Sequence, residues 1–224
     1  MEIVFERRFR GPLTSANGGY AVGRLASFVD ANETEVTLRR PPPLERPLEV
    51  FRDGDSVRLL DGEDLIAEAR PAPVGLDPPA PVPFAAAVEA ETRHRRAGNP
   101  EFRECFVCGI RDETDGLGIY VGPVAGREPL HAAPWTVRET STEIVVAAID
   151  CPGAYAVGDE GRGEVVLGRM AIRVLRTPTI GESCVVTAWP LGEDGRKLYA
   201  GTALLAEDGE LLAIARQVWI VPRV

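Results

Sequence analysis

Four stretches of this chain occur twice, in the same order. Gly18-Gly19-Tyr20-Ala21-Val22 returns as Gly153-Ala154-Tyr155-Ala156-Val157. The apolar–basic run 36–41 returns at 172–177, 47–51 at 183–187, and 59–70 at 204–216. The offset drifts only from 135, at Tyr20 and Tyr155, to 146, at Arg70 and Arg216. One matching pentapeptide arises easily by chance, whereas four blocks in the same order do not. The chain therefore reads as two diverged copies of one unit.

The unit has a legible shape. After Asn17 the apolar residues Ala21, Leu25, Phe28 and Val29 recur at helical spacing, with Arg24, Ser27 and Asp30 off that stripe. The spacing predicts a helix opening at Gly18-Gly19 and ending near Ala31-Asn32. Short strands follow at 35–40, 48–52, 56–60 and 65–70, the last two joined by an Asp61-Gly62 hairpin turn. In the second half the strands read 169–176, 183–189, 198–205 and 211–220, with turns at Asp194-Gly195 and Asp208-Gly209. A helix packed across an antiparallel meander buries one apolar face of each, which makes the class α+β. The expected boundaries are 1–70 for the first repeat, 71–101 for a connecting stretch, and 102–224 for the second repeat. Within the connection, proline-rich 71–83 reads as an extended linker and 84–97 as a surface helix.

Bulk properties narrow the function. A formal net charge of −9 argues against nucleic acid as a partner, since phosphate binding wants a basic face. Local arginines such as Arg39, Arg40, Arg173 and Arg176 still suit a small anionic ligand; Lys197 is the only lysine. No apolar run is long enough to cross a bilayer, so no membrane partner is expected. Residues 1–10 mix acidic, apolar and basic types, unlike a signal peptide, and a cytoplasmic location is the expectation. A cytosolic chain of this size needs no disulfides, so Cys105, Cys108, Cys151 and Cys184 are expected as thiols. Cys105-Phe106-Val107-Cys108 has the spacing of half a zinc site. No second pair follows, and neither His94 nor His131 stands at a ligand spacing from it. No metal site is expected.

Several motifs together resemble the double-hotdog acyl-CoA thioesterases. Asn17-Gly18-Gly19-Tyr20 at a helix start, with a strand running into Arg40-Pro41-Pro42-Pro43, is similar to their first half. Cys105-Phe106-Val107-Cys108-Gly109 and Asp115-Gly116-Leu117-Gly118 resemble the opening segment of another branch of that superfamily. Ala147-Ala148-Ile149-Asp150-Cys151-Pro152-Gly153-Ala154-Tyr155 looks like that branch's central helix. The resemblance implies a tandem (double) hotdog, in which each antiparallel sheet wraps a central helix and the halves pair as an intrachain pseudo-dimer, with a homodimer also possible. It implies hydrolysis of an acyl-CoA or related acyl thioester, with coenzyme A present as part of the substrate and no separate cofactor.

Thioester hydrolysis needs a polarised carbonyl and a carboxylate to activate water. Backbone N–H groups at a helix N-terminus can do the first, and glycine admits close approach. Asn17, Gly18 and Gly19 fit, as does Gly153 in the second half; alternatively the glycines only allow close packing and Asn17 is an N-cap. Asp150, just before Cys151-Pro152-Gly153, is the candidate catalytic carboxylate, or an ordinary cap of its own helix. Asp159 and Glu160 are lesser candidates. The resemblance also implies an Asp, a Gln and a Ser or Thr acting together. Gln217 is the only glutamine, in the final strand, and no spacing selects among Thr14, Ser15, Thr140, Ser141 and Thr142. Cys151 reads as a small buried thiol, and Trp135, Trp189 and Trp219 as core or interface residues. Arg40 and Arg176 end strands and either meet the phosphates of coenzyme A or are simply solvated. The alternative function is a non-catalytic acyl-CoA-binding or scaffold hotdog protein. A hotdog dehydratase would want a histidine near a helix start, where neither His94 nor His131 falls.

Overall fold

Two alternating burial patterns and one continuous set of hydrogen bonds organise the chain, described by a computed structural model over residues 1–95, 100–112, 114–158 and 165–222. The first half runs β1 (Glu2–Val4), α1 (Gly18–Ala26), β2 (Glu33–Leu38), β3 (Pro47–Asp53), β4 (Ser56–Asp61) and β5 (Asp64–Pro71). A connecting helix, α2, spans Phe84–Glu91. The second half runs β6 (Gly122–Pro123), β7 (His131–Thr136), α3 (Thr142–Ala148), α4 (Cys151–Val157), β8 (Val166–Val174), β9 (Ser183–Asp194), β10 (Lys197–Ala206) and β11 (Leu211–Ile220). All are joined in one antiparallel sheet, in the order β1-β3-β4-β5-β2-β8-β11-β10-β9-β7-β6. Outward from the β2–β8 seam, both directions read as the strand after the helix, then the last, the third and the second of the meander, then the strand before the helix; the β8 side adds short β6 at its edge.

The seam pairs Val36 with Met170, flanked by Thr34 with Ile172 and Thr37 with Arg169. Charge matches across it: Arg173 lies 3.5 Å from Glu33 and Arg169 lies 3.8 Å from Glu35. These pairs are half-exposed, so they favour the register more than they stabilise it.

In β3 and β4 every second residue is buried, Leu48 and Val50, then Val57 and Leu59, as expected of strands with one wet face. β10 and β11 are buried on both faces. The reason is the proline-rich stretch after β5, which is no free linker. Val74 and Leu76 pack on Ala171, Ala203, Leu205 and Ile214 on the outer face. The arm is pinned by Val74 N–H to Glu33 (2.8 Å) and by Arg216 Nη2 to the Val74 and Gly75 carbonyls (2.5 and 2.8 Å). Nor is α2 only a surface helix: Ala87 and Ala90 are buried against Leu130, Ala132 and Val185.

α1 starts where expected, with Asn17 Oδ1 accepting the Tyr20 N–H at 2.9 Å as an N-cap. It ends earlier than expected, at Ala26. Phe28 and Val29 N–H groups bond three residues back, to Leu25 and Ala26, tightening the exit toward β2 while the apolar stripe still meets the core. The second half departs further. Its helical stretch opens at Thr142, where Ser141 Oγ accepts the Ile144 N–H, and not at Cys151. It then breaks at Ile149-Asp150, because Pro152 has no N–H to give the Ala148 carbonyl. α1 and α3 run against each other in the main core, and Gly19 and Gly23 set their distance. A Cβ on Gly19 would collide with Asp150 and lie 2.8 Å from the Val146 carbonyl oxygen; on Gly23 it would lie 2.6 Å from Glu143 Cα. No helix among the described residues is long and apolar enough to cross a membrane.

Candidate active site

The break between α3 and α4 frees Asp150 from its own helix. The residue makes no side-chain cap to α4. Its Oδ2 instead accepts the Gly19 N–H at 2.9 Å and Asn17 Nδ2 at 3.0 Å, closing the N-terminus of α1 in the opposite half. Asp150 is therefore not an ordinary cap of its own helix: its carboxylate meets the positive end of α1's dipole. Asp150 is buried at 2% exposure, yet Oδ1 has no hydrogen-bond partner among the described residues. Burial pushes its pKa up from 3.8 to about 7, against the opposing pull of the Gly19 N–H and Asn17 and with help from negative charge on Cys105.

Gln217 fixes the broken helix from below. Its Nε2 donates to the Ile149 carbonyl at 2.7 Å, to the Asp150 carbonyl at 3.2 Å and to Thr202 Oγ1 at 3.3 Å. Its Oε1 accepts the Trp219 indole N–H at 2.8 Å. The side chain thus points inward from β11, fully buried, and holds the backbone on both sides of the Ile149–Asp150 link.

Asn17, Gly18 and Asp150 line a cavity of about 1080 Å³. Leu38, Phe102, Val121, Leu167, Trp219 and Ile220 supply apolar wall, and Arg39, Arg40, Arg93, Arg95 and His131 supply basic groups. Arg40 is paired with Asp64 at 2.7 Å and Arg39 with Glu68, both ion pairs partly exposed. Arg176 is elsewhere, forked between Glu182 (2.8 Å) and Glu210 (2.6 Å).

The remaining candidates divide. Gly19 faces α3 and Asp150. Gly153, expected at a substrate carbonyl, instead lies under Gln217, where a Cβ would collide with Oε1 and approach Trp219 Nε1 to 2.9 Å. Its smallness serves packing. Ser15 lines the cavity, whereas Ser141 caps α3. Asp159 and Glu160 lie outside the described residues.

Sequence reasoning missed the company that Asp150 keeps. Residues 102–112, which open the second half, cross to the first: the Phe106 N–H bonds the Arg10 carbonyl at 2.8 Å, and its ring packs with Phe9 and Tyr20. This crossing lays Cys105 and Cys108 beside Cys151, all three on the cavity wall. Cys105 Sγ and Cys151 Sγ are 3.6 Å apart. Hydrogen bonds with Cys108 and then Cys151 hold the Cys105 thiol well below its ordinary pKa, and Cys108 and Cys151 are raised in turn. Burial raises Tyr155 beside them.

No family model and no curated protein matches the sequence. Solved structures do. A conserved protein of unknown function with a hot dog fold from Alicyclobacillus acidocaldarius superposes over 100% of this chain and 93% of its own, with a TM-score of 0.64 at 12% identity. Acyl-CoA thioesterase II TesB2 from Mycobacterium marinum covers 100% of this chain and 93% of its own, with a TM-score of 0.60 at 13% identity. The tesB protein of Mycobacterium avium subs paratuberculosis covers 95% and 89%, with a TM-score of 0.55 at 13% identity. At such identities it is the architecture that is shared: the chain has the hot dog fold.

Proposed function

We propose that this chain hydrolyses acyl thioesters, coenzyme A esters being the substrate class, at the cavity between α1 and the α3–α4 break. The observation that carries the reading is the state of Asp150: a buried carboxyl held by one oxygen, its other oxygen without a partner among the described residues, at the edge of a cavity of about 1080 Å³. In this reading Oδ1 takes a proton from water as the water oxygen attacks the thioester carbonyl. The Gly19 and Tyr20 N–H groups are already occupied by Asp150 and Asn17, so Gly18 is left to offer a first-turn N–H to the developing oxyanion. Collapse of the tetrahedral intermediate breaks the C–S bond, and the thiol leaves with the proton returned from Asp150. Water and thioester become acid and thiol. The apolar wall takes the acyl chain, and Arg40 meets the phosphates of the leaving group. Two diverged repeats sharing one site account for the mirrored strand order and for the lack of an equal carboxylate at Gly18's counterpart.

The TesB2 neighbour is described as an acyl-CoA thioesterase, which agrees with this reading. The test is thiol release from a panel of short, medium and long acyl-CoAs, with Asp150→Asn alongside. Turnover that falls at least about 100-fold in the variant supports the assignment, on the usual scale for loss of a general base. Turnover unchanged in Asp150→Asn removes Asp150 from the mechanism. Acyl-CoA binding with no turnover at any chain length replaces the hydrolase by a binding protein.

A further inference from the structure

The fold makes one cluster that hydrolysis does not use. Cys105, Cys108 and Cys151 present three sulfurs that all lie within 4.8 Å of one another. We infer that these thiols form a binding site for a thiophilic divalent cation of the zinc type, with three protein ligands and a fourth position open to the cavity. Four independent features fit such a site, and it does not depend on the hydrolytic reading.

The spacing is right before any metal enters. Tetrahedral coordination with Zn–S bonds of about 2.3 Å sets neighbouring sulfurs about 3.8 Å apart. Cys105 and Cys151 stand at 3.6 Å. The local turn brings two ligands from one segment: the Gly109 N–H bonds the Cys105 carbonyl at 2.9 Å, closing the turn that carries Cys105 and Cys108. Glycine is needed there, since a Cβ would lie 2.5 Å from the Cys105 carbonyl oxygen and 2.8 Å from that of Arg103.

The surroundings also suit thiolates. Asn17 Nδ2 is 3.9 Å from Cys105 Sγ and 3.7 Å from Cys151 Sγ, an outer N–H donor shared by two ligands. All three cysteines line the cavity, so the fourth position faces solvent or a bound molecule. Three soft sulfurs select zinc-like ions over magnesium or calcium, which prefer oxygen. The sequence hid this because half the spacing motif is local and the third ligand arrives from a helix start 46 residues after Cys105.

The experiment uses full-length protein, reduced and with its four thiols verified by titration. Cobalt(II) is added as a spectroscopic probe, then displaced with zinc(II). The expected result is one cobalt per chain, with a thiolate-to-cobalt charge-transfer band in the near ultraviolet and intense visible bands of a tetrahedral ion, both abolished by zinc. Cys108→Ser and Cys151→Ser, checked for folding by circular dichroism, should each weaken cobalt binding at least about tenfold. Cys184→Ser, on β9 away from the cluster, should leave it unchanged. Cys108 and Cys151 are both half-buried, so Cys108→Ser decides the matter even if Cys151→Ser, at the helix break, unfolds. Absence of a charge-transfer band at stoichiometric cobalt, or a band unaltered by Cys108→Ser, overturns the site.

Discussion

Asp150 accepts the backbone N–H of Gly19 at 2.9 Å, so the helix of one half is capped by a carboxylate from the other, 131 residues away. A single hydrogen bond thus ties the stability of α1 to the placement of the candidate catalytic group. Substitutions nearby should disturb both together, in proportions that depend on which side of the bond is changed.

Asn17→Ala removes the side chain that caps Tyr20 and also steadies Asp150. Loss of the cap should cost about 1 kcal/mol of stability, on the usual scale for such positions. Thiol release in the proposed reaction should fall by more than that loss of stability accounts for, as Asp150 loses one of its two donors. Urea unfolding and thiol release on the same preparations check the two effects.

Gly19→Ala should destabilise the fold by about 1–3 kcal/mol, the range for overpacking, because the new Cβ strikes Asp150 and Val146 where α1 and α3 touch. Alanine usually favours a helix, so a stabilised variant would show that the two helices can move apart. The midpoint of urea unfolding decides.

Gln217→Ala leaves the Ile149 carbonyl and the Trp219 indole N–H without their buried partner. A cost of about 1–3 kcal/mol per stranded group is expected. Because Gln217 holds the backbone on either side of the helix break, turnover should drop as well, with the loss in kcat and not in KM. Steady-state kinetics beside thermal unfolding separate the contributions.

How far the sequence carried these assignments depends on range. The hairpins at Gly62, Gly195 and Gly209 were legible because each glycine takes a positive φ that the turn requires. The repeat blocks placed β2 to β5 and β8 to β11 to within a few residues. Nothing local could show Asp150 turning away from its own helix, since its partners Asn17 and Gly19 belong to a distant segment. Pro152 was the readable hint, as a residue unable to continue a helix from Ala148. Gln217 stood out as the only glutamine, but strand alternation fixed neither its direction nor its contacts. The burial of both faces of β10 and β11 was likewise hidden, because it depends on where the arm around Val74 lands.

Glu182 supplies a prediction about acid. Its carboxylate accepts from Arg176 and from the Thr179 N–H, which lowers its pKa from 4.5 to about 2. A depressed carboxylate contributes stability that is full above its unfolded pKa and disappears as pH falls through the folded one. Glu182→Gln should therefore be less stable than the parent above about pH 4.5, the gap closing toward about pH 2. Chemical denaturation across that window is the measurement.

Substitution of Arg40, at the cavity wall, should distinguish coenzyme A esters from smaller thioesters. Arg40→Ala should lower kcat/KM for acyl-CoA about tenfold, the scale of one charge-assisted hydrogen bond. Acyl thioesters of a phosphate-free thiol should be unaffected. Equal losses on both would place the phosphates elsewhere.

The seam between β2 and β8 also sets a timetable for synthesis. Thr37 must wait for Arg169, and the Gly19 N–H must wait for Asp150, so the first half emerges from the ribosome with a bare sheet edge and a helix capped by Asn17 alone. Glu33 and Glu35 place charge on that edge, a feature that discourages pairing with stray strands. Pairing of β8 with β2 completes the sheet, and the same half brings Asp150 to α1. A chain cut short before β8 should therefore be neither half active nor half stable, but prone to pair with whatever strand it meets first.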